Sequence, residues 1–487
     1  GRETVRESAA GFIQACNYTA TGQLANQAAG RNSLFFQQQL SEPEDVTPAL
    51  HGSAVNRSWQ YDRAYNVVGI DDGRWGKMQY RYDSNDQPVS ASFGGALPLQ
   101  EQFAYDANQN LTGHGFLSRR RDAVLLQDTQ RQQAGRVRSR GGSQYRYDTA
   151  GRLVEKREHK EGYRPQVWRY RWNEQDQLSE LITPKGERWR YGYDAFGRRI
   201  RKLRVVNNVP VQAGVSVGYE YLWSGDQLTE ECPICADGSV AYEQSIHWLY
   251  APGALTPSAR YSQGKLHYVV ADHQGTPREL LNEQGKVVWA SRLSTWGKAE
   301  LWGQPANDED RATCNLRFVG QYADAESGLH YNRFRYYDSE TGQYLSPDPT
   351  GLAGGVNPYG YVHNPLSWVD PLGLTKTPVY ENPGHHDPSY LPNRQVPFNS
   401  SKSVISPNAE DLFKLSQIDP DDPKTRWTKV GEGKKSVWHR FQSSAADGSG
   451  AFHWNGSTDG VDIKGRPRAI DTKNVPRFAR NMKGCKL

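Results

Sequence analysis

Short runs in which aromatic or aliphatic residues alternate with polar ones fill the first two thirds of the chain, each broken by a few turn formers. Residues 144–153 read Gln-Tyr-Arg-Tyr-Asp-Thr-Ala-Gly-Arg-Leu, and residues 189–200 read Trp-Arg-Tyr-Gly-Tyr-Asp-Ala-Phe-Gly-Arg-Arg-Ile. A period of two puts alternate side chains on opposite faces of a strand. Alternation up to an acid, a glycine turn and renewed alternation therefore predict a β-hairpin. The aromatic–acid step recurs at Tyr61-Asp62, Tyr82-Asp83, Tyr105-Asp106, Tyr147-Asp148, Trp172-Asn173 and Tyr193-Asp194, spaced by about 20 residues or a multiple of it. Residues 219–226 and 267–277 keep the rhythm with altered residues. One hairpin cannot bury its aromatic face, whereas a stack of them covers both faces and edges. In each unit the Asp is expected to accept hydrogen bonds from turn amides while the Tyr packs.

Residues 1–54 break this pattern. Ala, Gln and Asn dominate, and residues 20–39 predict a partly helical segment, weakened by Gly22 and Gly30.

Composition supports a mainly β chain of more than one unit. The 487 residues have a mean hydropathy of −0.82, yet hold 27 Tyr and 14 Trp, which suit strands wet on one side. Net charge is +5, and residues 375–487 carry 18 Lys+Arg against 12 Asp+Glu, so the basic excess sits at the end. A basic end on a near-neutral body points to a polyanionic target. Five cysteines make no disulfide framework, and the lone Cys232-Pro-Ile-Cys235 reads as a hairpin loop. No apolar run is long enough to span a membrane. The chain opens abruptly in charged residues, as a piece of a longer protein would.

Residues 328–374 carry the sharpest signal. They contain Gly-Leu-His-Tyr-Asn-Arg-Phe-Arg-Tyr-Tyr-Asp (328–338), Ser-Pro-Asp-Pro-Thr-Gly-Leu-Ala-Gly-Gly (346–355) and Asn-Pro-Leu-Ser-Trp-Val-Asp-Pro-Leu-Gly-Leu (364–374). Asp348 and Asp370 head two similar Asp-Pro-x-Gly-Leu units. Two carboxyls brought together cannot both ionise easily, so one keeps a proton. One can then activate water while the other protonates a leaving amine. Arg333 or Arg335 would orient a carboxylate through a two-pronged pair. The residue types also allow two plain turns that close a sheet.

The repeats resemble the YD (tyrosine–aspartate) repeats of the Rhs and toxin-complex families, over residues 55–374. The last stretch resembles the Rhs core-terminal motif, with small departures at Thr350 and Gly360. That resemblance implies a hollow β-shell over 55–327, a self-cleavage region over 328–374 with the cut between Leu374 and Thr375, and a toxin domain over 375–487. It also implies an antibacterial effector made in the bacterial cytoplasm and delivered by a secretion machine (a type VI spike, adaptor or chaperone). The toxin would act in the target cell's cytoplasm, with a cognate immunity protein to neutralise it.

Residues 375–407 read as loop, including the adjacent His385, His386 and Asp387, a weak metal cluster; no metal or cofactor is expected. Ser406-Pro407 starts a short helix. Strand-like stretches at 426–430, 436–441 and 450–455 and a short helix from Val475 predict a small α+β domain. It resembles the small toxin domains behind Rhs cores, many of them ribonucleases. RNA cleavage without metal needs an acid, a base and a cation for the phosphate. His453 suits acid or base, Arg440 and Arg468 the phosphate, and Ser457 positioning. His439 is an alternative base; Trp438 and Trp454 read as core residues first and as platforms for stacked bases second. An NAD-consuming enzyme (ADP-ribosyltransferase or NAD glycohydrolase) is the alternative, without a clear Gln/Glu-x-Glu motif. A DNase fits less well, for want of clustered His and Asn, and a binding module is a third class.

Overall fold

The computed structural model describes residues 2–33, 53–95, 99–118, 126–205, 216–303, 310, 312–351, 357–374, 412–413, 416–419, 422–431, 436–443, 452–460, 467 and 469–482. The chain divides into one unit of residues 1–17 and 24–376 and a second that holds 377–487 with 18–23.

In the first unit, twenty-five strands from Val5–Glu7 to Ala299–Leu301 form one meandering sheet, each strand pairing with the next in sequence. The sheet coils back on itself. Phe12 N donates to Glu283 O at 2.8 Å and Gln27 Nε2 to Ala271 O at 2.8 Å. Fully buried Arg57 bridges Asp72 at 2.7 Å and Glu279 at 2.6 Å. The first strands thus lie against strands more than two hundred residues later. This is the YD-repeat β-hairpin shell expected from the sequence.

The turn of each repeat is built by its acid. Asp83 Oδ1 accepts from Asn85 N at 2.8 Å and Gln87 N at 3.0 Å. The same pair of bonds forms at Asp62, Asp106, Asn173 and Asp194. Three residues after the acid the backbone turns left-handed, at Asp86, Gln109, Asp176 and Gly197 among others. The aromatic residue before the acid stitches its hairpin to the preceding one. Tyr82 OH donates to Val67 O at 2.6 Å, Tyr105 OH to Pro88 O at 2.7 Å, Trp172 Nε1 to Leu153 O at 2.7 Å and Tyr193 OH to Leu178 O at 2.8 Å. Each acceptor opens the return strand of the previous unit.

Two sequence expectations are corrected. Residues 20–39 are not helical where described: Phe12–Tyr18 and Leu24–Arg31 are strands of the coiled sheet. Small side chains serve close approach there, because Ala28 and Ala29 are buried and a Cβ on Gly285 would lie 2.2 Å from Gly30 O. Residues 34–52 lie outside the described residues. Cys232 and Cys235 belong to the strand Gln227–Cys235, not to a loop; the turn follows, closed by Cys235 N on Ser239 O at 2.8 Å.

A second, four-stranded sheet follows: Tyr322–Asp324, Leu329–Asn332, Arg335–Asp338 and Gln343–Tyr344. It is bound to the coil by Arg199, whose guanidinium meets Asp324 at 2.5 and 2.9 Å, and by Lys202, which meets Asp324 at 3.0 Å.

The C-terminal unit is small and α+β. Its sheet is Gln417–Asp419, Asp422–Val430, Val437–Ser443 and Phe452–Ser457, with a 3-10 turn at Thr472–Asn474 and a helix at Arg477–Asn481. Leu412 and Phe413 pack on Phe441 and Trp454, while Val475 and Ala479 pack on Trp427.

Asp83→Ala removes the one oxygen that accepts both turn hydrogen bonds and leaves the Gln87 amide without its side-chain partner, a loss of about 1–3 kcal/mol. Hydrogen exchange read by mass spectrometry should show faster exchange across 83–87, with the turn at 194–198 unchanged.

Candidate functional site

The hairpin between Leu329–Asn332 and Arg335–Asp338 decides which arginine enters the junction. Asn332 pairs with Arg335, so Arg333 and Phe334 form a two-residue turn, Arg333 with φ +53°. In the turn, Arg333 escapes strand alternation and meets Asp226 at 3.3 Å. Of the two arginines considered, Arg333 therefore does not touch the acids. Arg335 does.

Arg335 is 2 % exposed, and its Nη2 lies 2.8 Å from Asp348 Oδ2 and 3.4 Å from Asp370 Oδ2. The same guanidinium reaches backbone carbonyls: Nε to Gly373 O at 2.5 Å, Nη1 to Pro358 O at 3.1 Å and Nη2 to Leu374 O at 3.4 Å. The carbonyl on the expected scissile bond thus faces a cation. Thr375, on its other side, lies outside the described residues.

Each acid is held by its own Asp-Pro-x-Gly turn. Gly351 N donates to Asp348 O at 3.0 Å, and Asp348 Oδ1 accepts from Thr350 N at 2.8 Å and Thr350 Oγ1 at 2.6 Å. Asp370 Oδ1 accepts from Leu374 N at 3.0 Å, and Oδ2 accepts from Tyr344 OH at 2.9 Å. Asn332, wholly buried, donates from Nδ2 to Tyr344 OH at 2.7 Å and to Asp370 O at 2.8 Å. Asn332, Tyr344 and Thr350 were not among the sequence candidates. All three lie within or beside the motif, but only the hairpin register and the turn show what each touches.

Burial raises the Asp370 carboxyl above the ordinary carboxylate range. Arg335, the Leu374 amide and the Tyr344 hydroxyl oppose that rise, and Asp348 adds to it least. The cause is thus mainly desolvation and only slightly the like charge inferred from sequence, because Arg335 stands between the acids.

In the C-terminal sheet, Arg440 is held by Asn455 Oδ1 at 3.2 Å and pairs with Trp427 in the register, its Nε buried without a partner among the described residues. His453 occupies the register position opposite Gln442. His439 is buried, and burial lowers its pKa. Ser457 is also buried and donates to Asp459 Oδ1 at 2.6 Å, a turn contact. Trp454 is 2 % exposed and belongs to the core, the first of its two sequence readings, so it is not a base platform. Trp438 packs by the helix, Nε1 donating to Ala479 O at 2.9 Å. Arg468, His385, His386, Asp387 and Ser406 lie outside the described residues.

Residues 48–212 match the family model of the teneurin YD-shell, and residues 266–301 that of the RHS protein. The chain is 36% identical over 390 residues to a probable deoxyribonuclease RhsA of Dickeya dadantii, covering 78% of this chain and 24% of that protein. The chain belongs to the Rhs/YD-repeat toxin family. It is also 31% identical over 356 residues to the double-stranded DNA deaminase toxin A of Burkholderia cenocepacia, and 30% identical over 379 residues to the toxin protein Tse5 of Pseudomonas aeruginosa. These alignments cover 68% and 65% of this chain and 23% and 27% of those proteins, so the chain spans about a quarter of the length of its Rhs relatives. Among solved structures, a TcdB2–TccC3 complex shares the fold, with a TM-score of 0.55 and 18% identity over 77% of this chain and 19% of that one.

Gly373 has φ +67°, and a Cβ there would lie 2.5 Å from Asn332 O. Gly373→Ala should therefore unseat the Asp370 turn at a cost of about 1–3 kcal/mol. The Leu374 and Phe334 amides, bonded to Asp370 Oδ1 and Leu372 O, should lose protection in hydrogen exchange.

Proposed function

We propose that this Rhs chain cuts itself between Leu374 and Thr375 and so frees a C-terminal toxin. The observation that carries the reading is one buried guanidinium shared by two carboxyl groups and the Leu374 carbonyl. Asp348, with its Oδ1 tied to Thr350 and its Oδ2 facing Arg335, serves as base. It takes a proton from water, whose oxygen bonds to the Leu374 carbonyl carbon. Arg335 stabilises the charge on the carbonyl oxygen. Asp370, whose burial favours its acid form, gives its proton to the Thr375 nitrogen as the C–N bond breaks.

Asp348→Asn and Asp370→Asn should each leave the chain whole on a denaturing gel; release of the 375–487 fragment from either would contradict the mechanism. The sign of the pH dependence follows from Asp370. Its acid form is needed and its pKa is raised, so cleavage should persist above the ordinary carboxylate range and fall as pH rises through the raised value. A time course at stepped pH reads this directly.

For the released domain we propose metal-independent cleavage of RNA. The basic end, and Arg440 bonded to neutral Asn455 with no acid partner among the described residues, support a phosphate-bearing target. His453 would be acid or base, with Arg468 a second cation and Ser457 a turn residue that shapes the site. The relatives named as deoxyribonucleases favour DNA as a second reading. Secretion delivery and a cognate immunity protein come with the toxin reading. Among the described residues no helix is long and apolar enough to cross a membrane.

Incubating the cleaved chain separately with total RNA, plasmid DNA and NAD+ tests the target. RNA alone should be degraded, and His453→Ala should remove that activity without unfolding the domain. Loss of plasmid or NAD+ instead would move the protein to the second reading or to the NAD-consuming class.

A further inference from the structure

The repeat tyrosines donate their hydroxyls to backbone carbonyls, as Tyr82 and Tyr105 do to Val67 and Pro88. Tyr344 is used differently. It is 1 % exposed, the Arg335 guanidinium carbon lies over its ring at 3.7 Å from the centroid, and its hydroxyl meets Asp370 Oδ2 at 2.9 Å. One side chain therefore touches both the cation and an acid of the proposed site.

The direction of that hydrogen bond is fixed by Asn332. The Asp370 backbone carbonyl is an acceptor only, so the atom of Asn332 that faces it at 2.8 Å must be the amide nitrogen. The same nitrogen lies 2.7 Å from the Tyr344 oxygen and donates to it. The tyrosine proton is thus free to point only at Asp370 Oδ2. That oxygen also faces Arg335 Nη2 at 3.4 Å, so two donors converge on it. The other oxygen, Oδ1, lies 3.0 Å from Leu374 N, one residue from the bond to be cut.

We infer that Tyr344, aimed by Asn332, is a positioning residue of self-cleavage: it holds Asp370 Oδ2 as an acceptor and so confines the acid's proton to Oδ1, the oxygen that meets the Leu374 amide. This rests on the reading of Asp348 and Asp370 as the cleaving pair. Burial raises the Tyr344 hydroxyl well above its ordinary range, so it stays a donor wherever the acid works.

The test follows fragment release from the freshly translated full chain, at stepped pH, for the wild type, Tyr344→Phe, Asn332→Asp and Tyr337→Phe. Tyr344→Phe keeps the ring under Arg335 and removes only the hydroxyl. It should slow cleavage roughly tenfold. A hydroxyl donor favours the ionised carboxyl, so its loss should also move the alkaline fall in rate to higher pH. Asn332→Asp, which offers the tyrosine an acceptor, should turn the hydroxyl away and slow cleavage in the same way. Tyr337, a buried tyrosine of the same sheet that donates to Trp296 O at 2.9 Å, is the control for packing, and Tyr337→Phe should leave the pH profile in place. Tyr344→Phe at wild-type rate, or slowed with an unmoved pH profile, overturns the inference. Continued cleavage by Asp370→Asn would instead overturn the reading beneath it, so the two failures are separable.

Discussion

Arg199 is the charge on which the junction rests. It is 1 % exposed, grips Asp324 with two nitrogens and lies within 4.4 to 6.0 Å of the ring centroids of Tyr191, Tyr221, Tyr322, Tyr331 and Tyr336. Two of those rings come from the coiled wall and three from the small sheet that carries Asn332 and Arg335. Stripping a cation of water is costly and is recovered only if its acid partner is already in place; loss of one partner from such a pair costs about 3–5 kcal/mol. The pair therefore specifies one seating of small sheet on wall. Lys202, reaching Asp324 and Glu326 at 3.0 and 3.1 Å, reinforces that seating. Arg57, between Asp72 and Glu279, does the same where the coil meets its own beginning.

What was legible in the sequence was what local chemistry decides. An Asp that caps its own turn and a Tyr that reaches the preceding hairpin act within a few residues of themselves or on the adjacent unit, so the pattern shows them. The misreadings came from residues whose role is set by distant chain. Ala28 and Ala29 suggest a helix by composition, but they are buried in a strand whose next residue, Gly30, is met closely by the turn at Gly285. Arg333 and Arg335 look equivalent in Asn-Arg-Phe-Arg, and only the two-residue turn sends one to Asp226 and the other to the acids. Thr350 reads as a neutral departure from a motif, yet its amide and hydroxyl both fix Asp348.

The C-terminal unit shows the same limit more strongly. Its strands follow from alternation, but which tryptophans are available to a ligand does not, since both faces of the sheet carry cover. Leu412 and Phe413 take one face and the residues around Val475 and Ala479 the other. Trp454 and Trp427 are spent on those cores. The chemistry left for a substrate lies with side chains such as Arg440, half-buried and bonded to a neutral amide rather than an acid.

The proposed cleavage chemistry is also tied to completion of the fold. The segment that brings Asp348 and Asp370 together is pinned at widely separated points of the wall. Gln343 donates to Gly135 O at 3.1 Å, Tyr359 to Gly151 O at 2.9 Å and Asn364 to Asn66 Oδ1 at 3.1 Å, while His273 contacts Leu366 O at 2.8 Å. Contacts of such long sequence separation form late, because the entropy of closing the chain must be met before they contribute. Until they form, Asp370 stays in water and lacks the burial that raises its carboxyl. Burial of Asp370, and the upward shift it gives that carboxyl, is therefore a product of the finished coil.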